Sequence, residues 1–294
     1  MKTYNYLIAV LLFIVFGCSE SEQKQEKIPS KGGSVEQMNI SILIDLSDRI
    51  LVNKENDIEL MTFISDCFKK HIEQKNLFFI HDQIKVFFYP APQNNNINEI
   101  AGSLKFKLDP SDREQIKNTW ENITATFSEK LTVLYNLAIG EGKTKGFYGS
   151  DTWRFFSDKV HDYCIESNPG YRNILIILTD GYLYSKETQT REKNKTTYLT
   201  APLLEKEGLR RNPDWQKKYK EGNYGFITKR NDLNNLEVLV LEVNPSKVHR
   251  NDDEIIKRFW GDWFENMNVK TYKILTTDVP SNTEPMIKEF LNAK

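Results

Sequence analysis

Two acidic residues close two apolar runs, and hydroxyl side chains stand beside both. Ile40-Ser41-Ile42-Leu43-Ile44 runs into Asp45-Leu46-Ser47-Asp48-Arg49, and Ile174-Leu175-Ile176-Ile177-Leu178 runs into Thr179-Asp180-Gly181. Between them, Gly149-Ser150-Asp151-Thr152 adds further hydroxyls just ahead of a helical pattern. Carboxylates and hydroxyls brought together form an all-oxygen donor set, which suits a hard divalent cation.

The elements that would position these groups follow from the same runs. Short, continuous β-branched stretches bounded by turn residues predict strands buried on both faces, as in parallel sheets. Ligands of such sheets bind at the carboxyl ends of the strands. Asp45 and Asp180 are therefore expected at one crevice. Strands are expected over 39–45, 83–89, 173–179, 236–243 and 269–275, with a half-exposed edge strand over 102–108. Helices are expected near 56–74, 153–166, 254–267 and 284–291. A further helix, capped by Asp109, should pass through Trp120, Ile123, Phe127 and Leu131 and break before Leu134, with a loop over 140–150. This alternation predicts an α/β fold, a Rossmann-like, mostly parallel sheet with helices on both faces.

A long insertion, 182–235, interrupts the pattern after the fourth strand. Its 12 Lys/Arg against 7 Asp/Glu give 12 − 7 = +5, and it carries seven aromatic residues from Tyr182 to Phe226. A partner-binding surface and a plain solvated loop are both open readings of it.

Over the whole chain of 294 residues, 40 Lys+Arg against 41 Asp+Glu leave a net charge of −1, which gives no reason to expect nucleic acid. The first 18 residues read as a targeting segment: Lys2, an apolar run from Tyr6 to Phe16, then Gly17-Cys18. This layout resembles a bacterial lipoprotein signal, which implies lipid attachment at Cys18, a membrane anchor and a place in the cell envelope, periplasmic or surface-facing. An uncleaved N-terminal anchor is the plainer alternative. Residues 19–37 are polar and broken by Pro29, Gly32 and Gly33, so a flexible tether is expected before a folded domain over 38–294. Cys67 and Cys164 are expected as small apolar side chains rather than a disulfide.

The order of the acidic loops resembles the von Willebrand factor A domain over about residues 39–293. In that family an Asp-x-Ser-x-Ser loop, a middle Thr and a later Asp form a metal-ion-dependent adhesion site. The resemblance implies Asp45, Ser47, Thr152 and Asp180 as ligands of Mg2+ or another divalent cation, with a partner protein's carboxylate completing the shell. It implies a binding module rather than an enzyme. Arg49 stands where the family has its second Ser, and a guanidinium cannot ligate a cation. It is expected either to turn inward and pair with Asp45 or Asp180 in the metal's place, or to turn outward toward an acidic partner. Asp48 reads as a spare carboxylate or a solvated turn residue, and Ser150 and Asp151 rival Thr152. Plainer readings exist for two pieces: Asp180-Gly181 as a turn and Thr152 as a helix cap.

Two other functions stay open: a degenerate, metal-free scaffold in an envelope complex, and a metal-assisted phosphohydrolase. Gly142-Lys143-Thr144 is no phosphate loop, because Leu137 stands where that motif needs Gly. His71, His81, His161 and His249 show no metal-ligand spacing.

Overall fold

The computed structural model describes residues 36–293. The elements are β1 Gln37–Ile44, α1 Ile50–Glu73, β2 Gln83–Phe87, α2 Asn95–Ser103, β3 Phe106–Lys107, α3 Arg113–Lys145, α4 Thr152–Asp158, α5 Val160–Cys164 and β4 Tyr171–Leu178. Then follow β5 Arg191–Glu192, β6 Lys195–Thr196, α6 Ala201–Lys206, α7 Trp215–Glu221, β7 Gly225–Phe226, β8 Leu236–Val243, α8 Asp252–Asn266, β9 Thr271–Thr276 and α9 Pro280–Asn292.

Six strands form one sheet in the order β3-β2-β1-β4-β8-β9. All neighbours pair in parallel except β2 and β3, which are antiparallel. The chain winds outward from β1 in one direction and from β4 in the other, so the order reverses between these two strands. That reversal opens a crevice at their carboxyl ends, the usual ligand position of a doubly wound sheet.

The alternation of side chains along each strand divides the core in two. Ile40, Ile42, Ile44, Ile174, Ile176 and Leu178 pack with α1, α2, α3 and α9. Leu43, Leu175, Ile177, Val238 and Val240 pack on the other side with α4, α5, α8 and the insertion. The α/β fold with a mostly parallel, Rossmann-like sheet and helices on both faces is thus as expected.

Several boundaries differ. The helix α1 begins at Ile50 rather than near Asn56, because the turn after β1 leads straight into it. The expected edge strand 102–108 shrinks to Phe106–Lys107, the part that pairs with β2: Gly102 and Ser103 close α2 and Leu104 caps it, with Ile97, Ala101 and Leu104 buried at helical spacing. The helix α3 starts at Arg113, capped by the Asp112 carboxylate rather than Asp109, and runs unbroken past Leu134 to Lys145. The expected helix 153–166 is two short ones, α4 and α5. β1 already starts at Gln37, inside the expected tether. Residues 1–18, Cys18 and the tether up to residue 35 lie outside the described residues.

The insertion is not a solvated loop. Leu204, Trp215, Tyr219 and Phe226 are buried, the last two against Phe259 of α8. Of its seven aromatic residues only Tyr184 is exposed. Cys67 is half-buried and Cys164 buried, and both are free thiols.

Candidate functional site

Backbone pairing draws three distant loops to the crevice. The loop after β1 and the middle loop join where Gly149 N donates to Leu46 O at 3.1 Å. The left-handed φ of +70° at Gly149 suits a residue without Cβ. Asp151 N donates to Tyr89 O at 2.8 Å, which ties the middle loop to the end of β2. The third loop leaves β4 at Asp180, whose carbonyl accepts from Asn244 N at 3.0 Å beyond β8. Asp45, Ser47, Thr152 and Asp180 consequently line one cleft of about 610 Å3, together with Asp48, Ser150 and Asp151. Its rim is built by Tyr148, Arg154, Lys186 and Glu187, which sequence reasoning did not single out, together with Tyr182 and Tyr184, noted there only as aromatic residues of the insertion.

The two central carboxylates are short of positive charge. Asp45 is buried; its Oδ1 accepts from Ser47 N at 2.9 Å and its Oδ2 from Thr179 Oγ1 at 3.3 Å. Burial raises its proton affinity, and although Arg49, Ser47 and Thr179 act the other way, the net shift is upward. Asp180 Oδ1 accepts from Tyr182 N at 3.0 Å. Burial and then the Asp45 carboxylate push Asp180 up to about 7. Two buried acids whose proton affinities are both raised form a site that gains from an added cation.

Arg49 follows neither expected course. Its guanidinium turns away from the cleft and makes a bidentate pair with Asp57 on α1, both bonds at 2.8 Å. Tyr135 Oη of α3 donates to the same carboxylate at 2.6 Å. Arg49 and Asp57 are both buried, and the guanidinium touches Asp45 only at its backbone carbonyl, at 3.4 Å. The reason lies in spacing. Arg49, Asn53 and Asp57 recur every four residues on the inward face at the start of α1, and the two acids differ in what they offer. Asp57 presents both carboxylate oxygens to the fork, the geometry guanidinium prefers. That signal was readable in the sequence and marks the residues missed there. Asn53 continues the buried network, donating to Glu242 Oε2 at 2.8 Å, which also accepts from Thr277 at 2.8 Å.

The chain matches no family model and no curated protein. Roles therefore rest on geometry.

Thr152 is the first residue of α4 and not its cap; the cap is Asp151, whose Oδ1 accepts from Arg154 N at 3.1 Å. Both Asp151 oxygens also accept from Thr188 Oγ1 at 3.0 Å, which binds the insertion to the middle loop. Asp151 is thus committed to structure, whereas the Thr152 hydroxyl shares only a 2.9 Å contact with Ser150 Oγ. Asp48 is exposed at the cleft edge. Gly181 is required: its φ is +90°, and a Cβ would lie 2.8 Å from Ile256 Cγ2 and 3.0 Å from Val243 Cγ1. Its carbonyl accepts from Trp260 Nε1 at 2.8 Å, so the turn carrying Asp180 is clamped onto α8.

The donor chemistry is compatible with a small divalent cation. Two carboxylates and two hydroxyls supply hard oxygens and leave positions for water or a ligand. Among the described residues there is no cluster of three or more His, Cys, Asp or Glu able to hold a metal, so any cation here would depend on the hydroxyls as well.

Proposed function

We propose that this chain is a membrane-anchored binding module that captures another protein at the crevice between β1 and β4. In this reading Asp45, Ser47, Thr152 and Asp180 hold Mg2+ or a similar divalent cation, as the resemblance to the von Willebrand factor A domain implies. The cation would supply an incompletely neutralised Lewis acid that a partner's carboxylate completes. The rest is the work of the chain itself. Asp45 and Asp180 provide charge, Ser47 and Thr152 provide neutral oxygens, and the insertion shapes the rim through Tyr184 and Lys186. Cys18 provides lipid attachment and the envelope location.

The observation that carries the reading is the convergence of these four side chains, from three separate stretches of chain, on one cleft. The position of Arg49 favours the metal-binding form over the metal-free scaffold. The scaffold reading needs the guanidinium on a cleft carboxylate, and its partner is Asp57.

The test is thermal unfolding of the full chain with Mg2+ and with chelator. Mg2+ is expected to raise Tm by stabilising the folded state as RT ln(1 + [L]/Kd), about 2.7 kcal/mol at a hundredfold excess over Kd. Asp45→Asn should remove the response. An unchanged Tm in the wild-type chain overturns the metal site and returns the metal-free scaffold.

A further inference from the structure

At the end of the sheet opposite the cleft, two neighbouring phenylalanines face outward. Phe78 and Phe79 lie on a 3-10 turn, Leu77–Phe79, and are 63% and 56% exposed. Leu77 of the same turn packs on the core, so the two rings are held out while the third apolar side chain is held in. The turn is fixed in place. Asn76 Oδ1 accepts from Phe78 N at 3.0 Å, and Phe79 O accepts from Gln37 Nε2 at 2.7 Å. Arg113 lies over the Phe78 ring, 5.1 Å from its centroid.

The turn stands beside the first residues of β1. Gln37, which grips Phe79, is the first residue of β1, and Lys75 Nζ beside the turn donates to Glu36 O at 2.6 Å. The rings therefore stand where residues 1–35 join the domain, and the sequence of that segment carries the apolar run and Cys18. The chain from Cys18 to Glu36 is 36 − 18 = 18 residues, which span about 60 Å at most in any conformation. A domain kept that close meets the bilayer at a high effective concentration, so even a small apolar contact is populated.

We propose that this face docks on the surface of the bilayer that holds the lipid anchor, with Phe78 and Phe79 entering the interfacial layer. Aromatic rings favour that layer because it is part apolar and part wet. The local charges are mixed: Arg113 and His81 stand near Asp109 and Asp112, so the rings and not a charge pair make the contact. The cleft opens at the far end of β1, whose eight residues extend for about 26 Å. Docking therefore points the cleft away from the membrane. The inference rests on the anchoring half of the function proposed above and not on the metal.

The experiment uses the full lipidated chain in phosphatidylethanolamine/phosphatidylglycerol vesicles. An environment-sensitive dye is placed at exposed His81 through His81→Cys, in a Cys67→Ser background, with Tyr184→Cys at the cleft as the distal control. Nitroxide-bearing lipids are expected to quench the dye at position 81 and not at 184. The added pair Phe78→Ser and Phe79→Ser should lower quenching at 81 to the level of the control without changing Tm, since both rings are exposed. Flotation with the vesicles without quenching at 81 overturns docking and leaves the anchor standing. A chain that does not float with vesicles overturns both. A blue shift that needs no vesicles and grows with protein concentration assigns the face to a second copy of the chain and also overturns the proposal.

Discussion

Asp180 couples the cleft to pH. Its folded-state value of about 7 lies above its ordinary 3.8, with burial as the larger cause and Asp45 as the second. Between these values the folded protein keeps a proton that the unfolded chain has released. Metal-free stability contributed by this group is therefore full below about pH 4 and falls as pH rises through 7. Melting curves across that window should show the decline, and Asp180→Asn should flatten it. Mg2+ competes with the same proton, so its stabilisation should grow over the same range. The neighbouring Arg49 has the opposite character: Asp57 holds it permanently charged, and its burial makes the pair costly to split. Which acid Arg49 would choose was not legible from the loop motif, because that motif ends at Arg49 and the partner lies two helical turns further on.

At the scale of the element, the turn after β4 is the most constrained piece of the site. Gly181→Ala places a Cβ against Ile256 and Val243 in a left-handed conformation. The cost should be on the order of 1–3 kcal/mol, read by denaturant unfolding, with a weaker Mg2+ response because Asp180 moves with the turn. The buried strands could be read from sequence because continuous β-branched runs bounded by Asp and Gly admit few other interpretations. The segment before β3 could not. GSLKFKL alternates as a strand does, yet Ile97, Ala101 and Leu104 had already begun a helical stripe upstream. The end of α3 was obscured in the same way: Gly140 and Gly142 look like a loop, but Gly142 provides room for the Phe147 ring.

Across the whole molecule, the two ends of the sheet respond to acid in opposite senses. At the end near the tether, Asp82 is fully buried and accepts from Met38 N at 2.6 Å, from Lys75 Nζ at 2.6 Å and from His71 Nε2 at 3.1 Å. Burial by itself would raise its proton affinity, but His71, Lys75 and the Met38 amide outweigh it and hold the carboxyl below its ordinary value. Its contribution is complete above 3.8 and is lost as pH falls through the lower folded value. Asp82→Asn should lower Tm at neutral pH and remove part of the acid-limb slope, as a pH series of melting curves would show. No spacing in the sequence announces this network, since its members come from the end of α1, the turn after it, β1 and the residue just before β2. The acidic loops at the other end were legible because each sits on a strand end, and strand ends of a parallel sheet share one rim.

The margins of the sheet carry a consequence of their own. β3 offers only two residues for pairing, and Lys273 stands on β9 with its ammonium 2.8 Å from Glu289 of α9. Short or charged borders give a neighbouring chain little to zip onto. Copies packed densely side by side thus have a lowered tendency to add strand to strand at these borders.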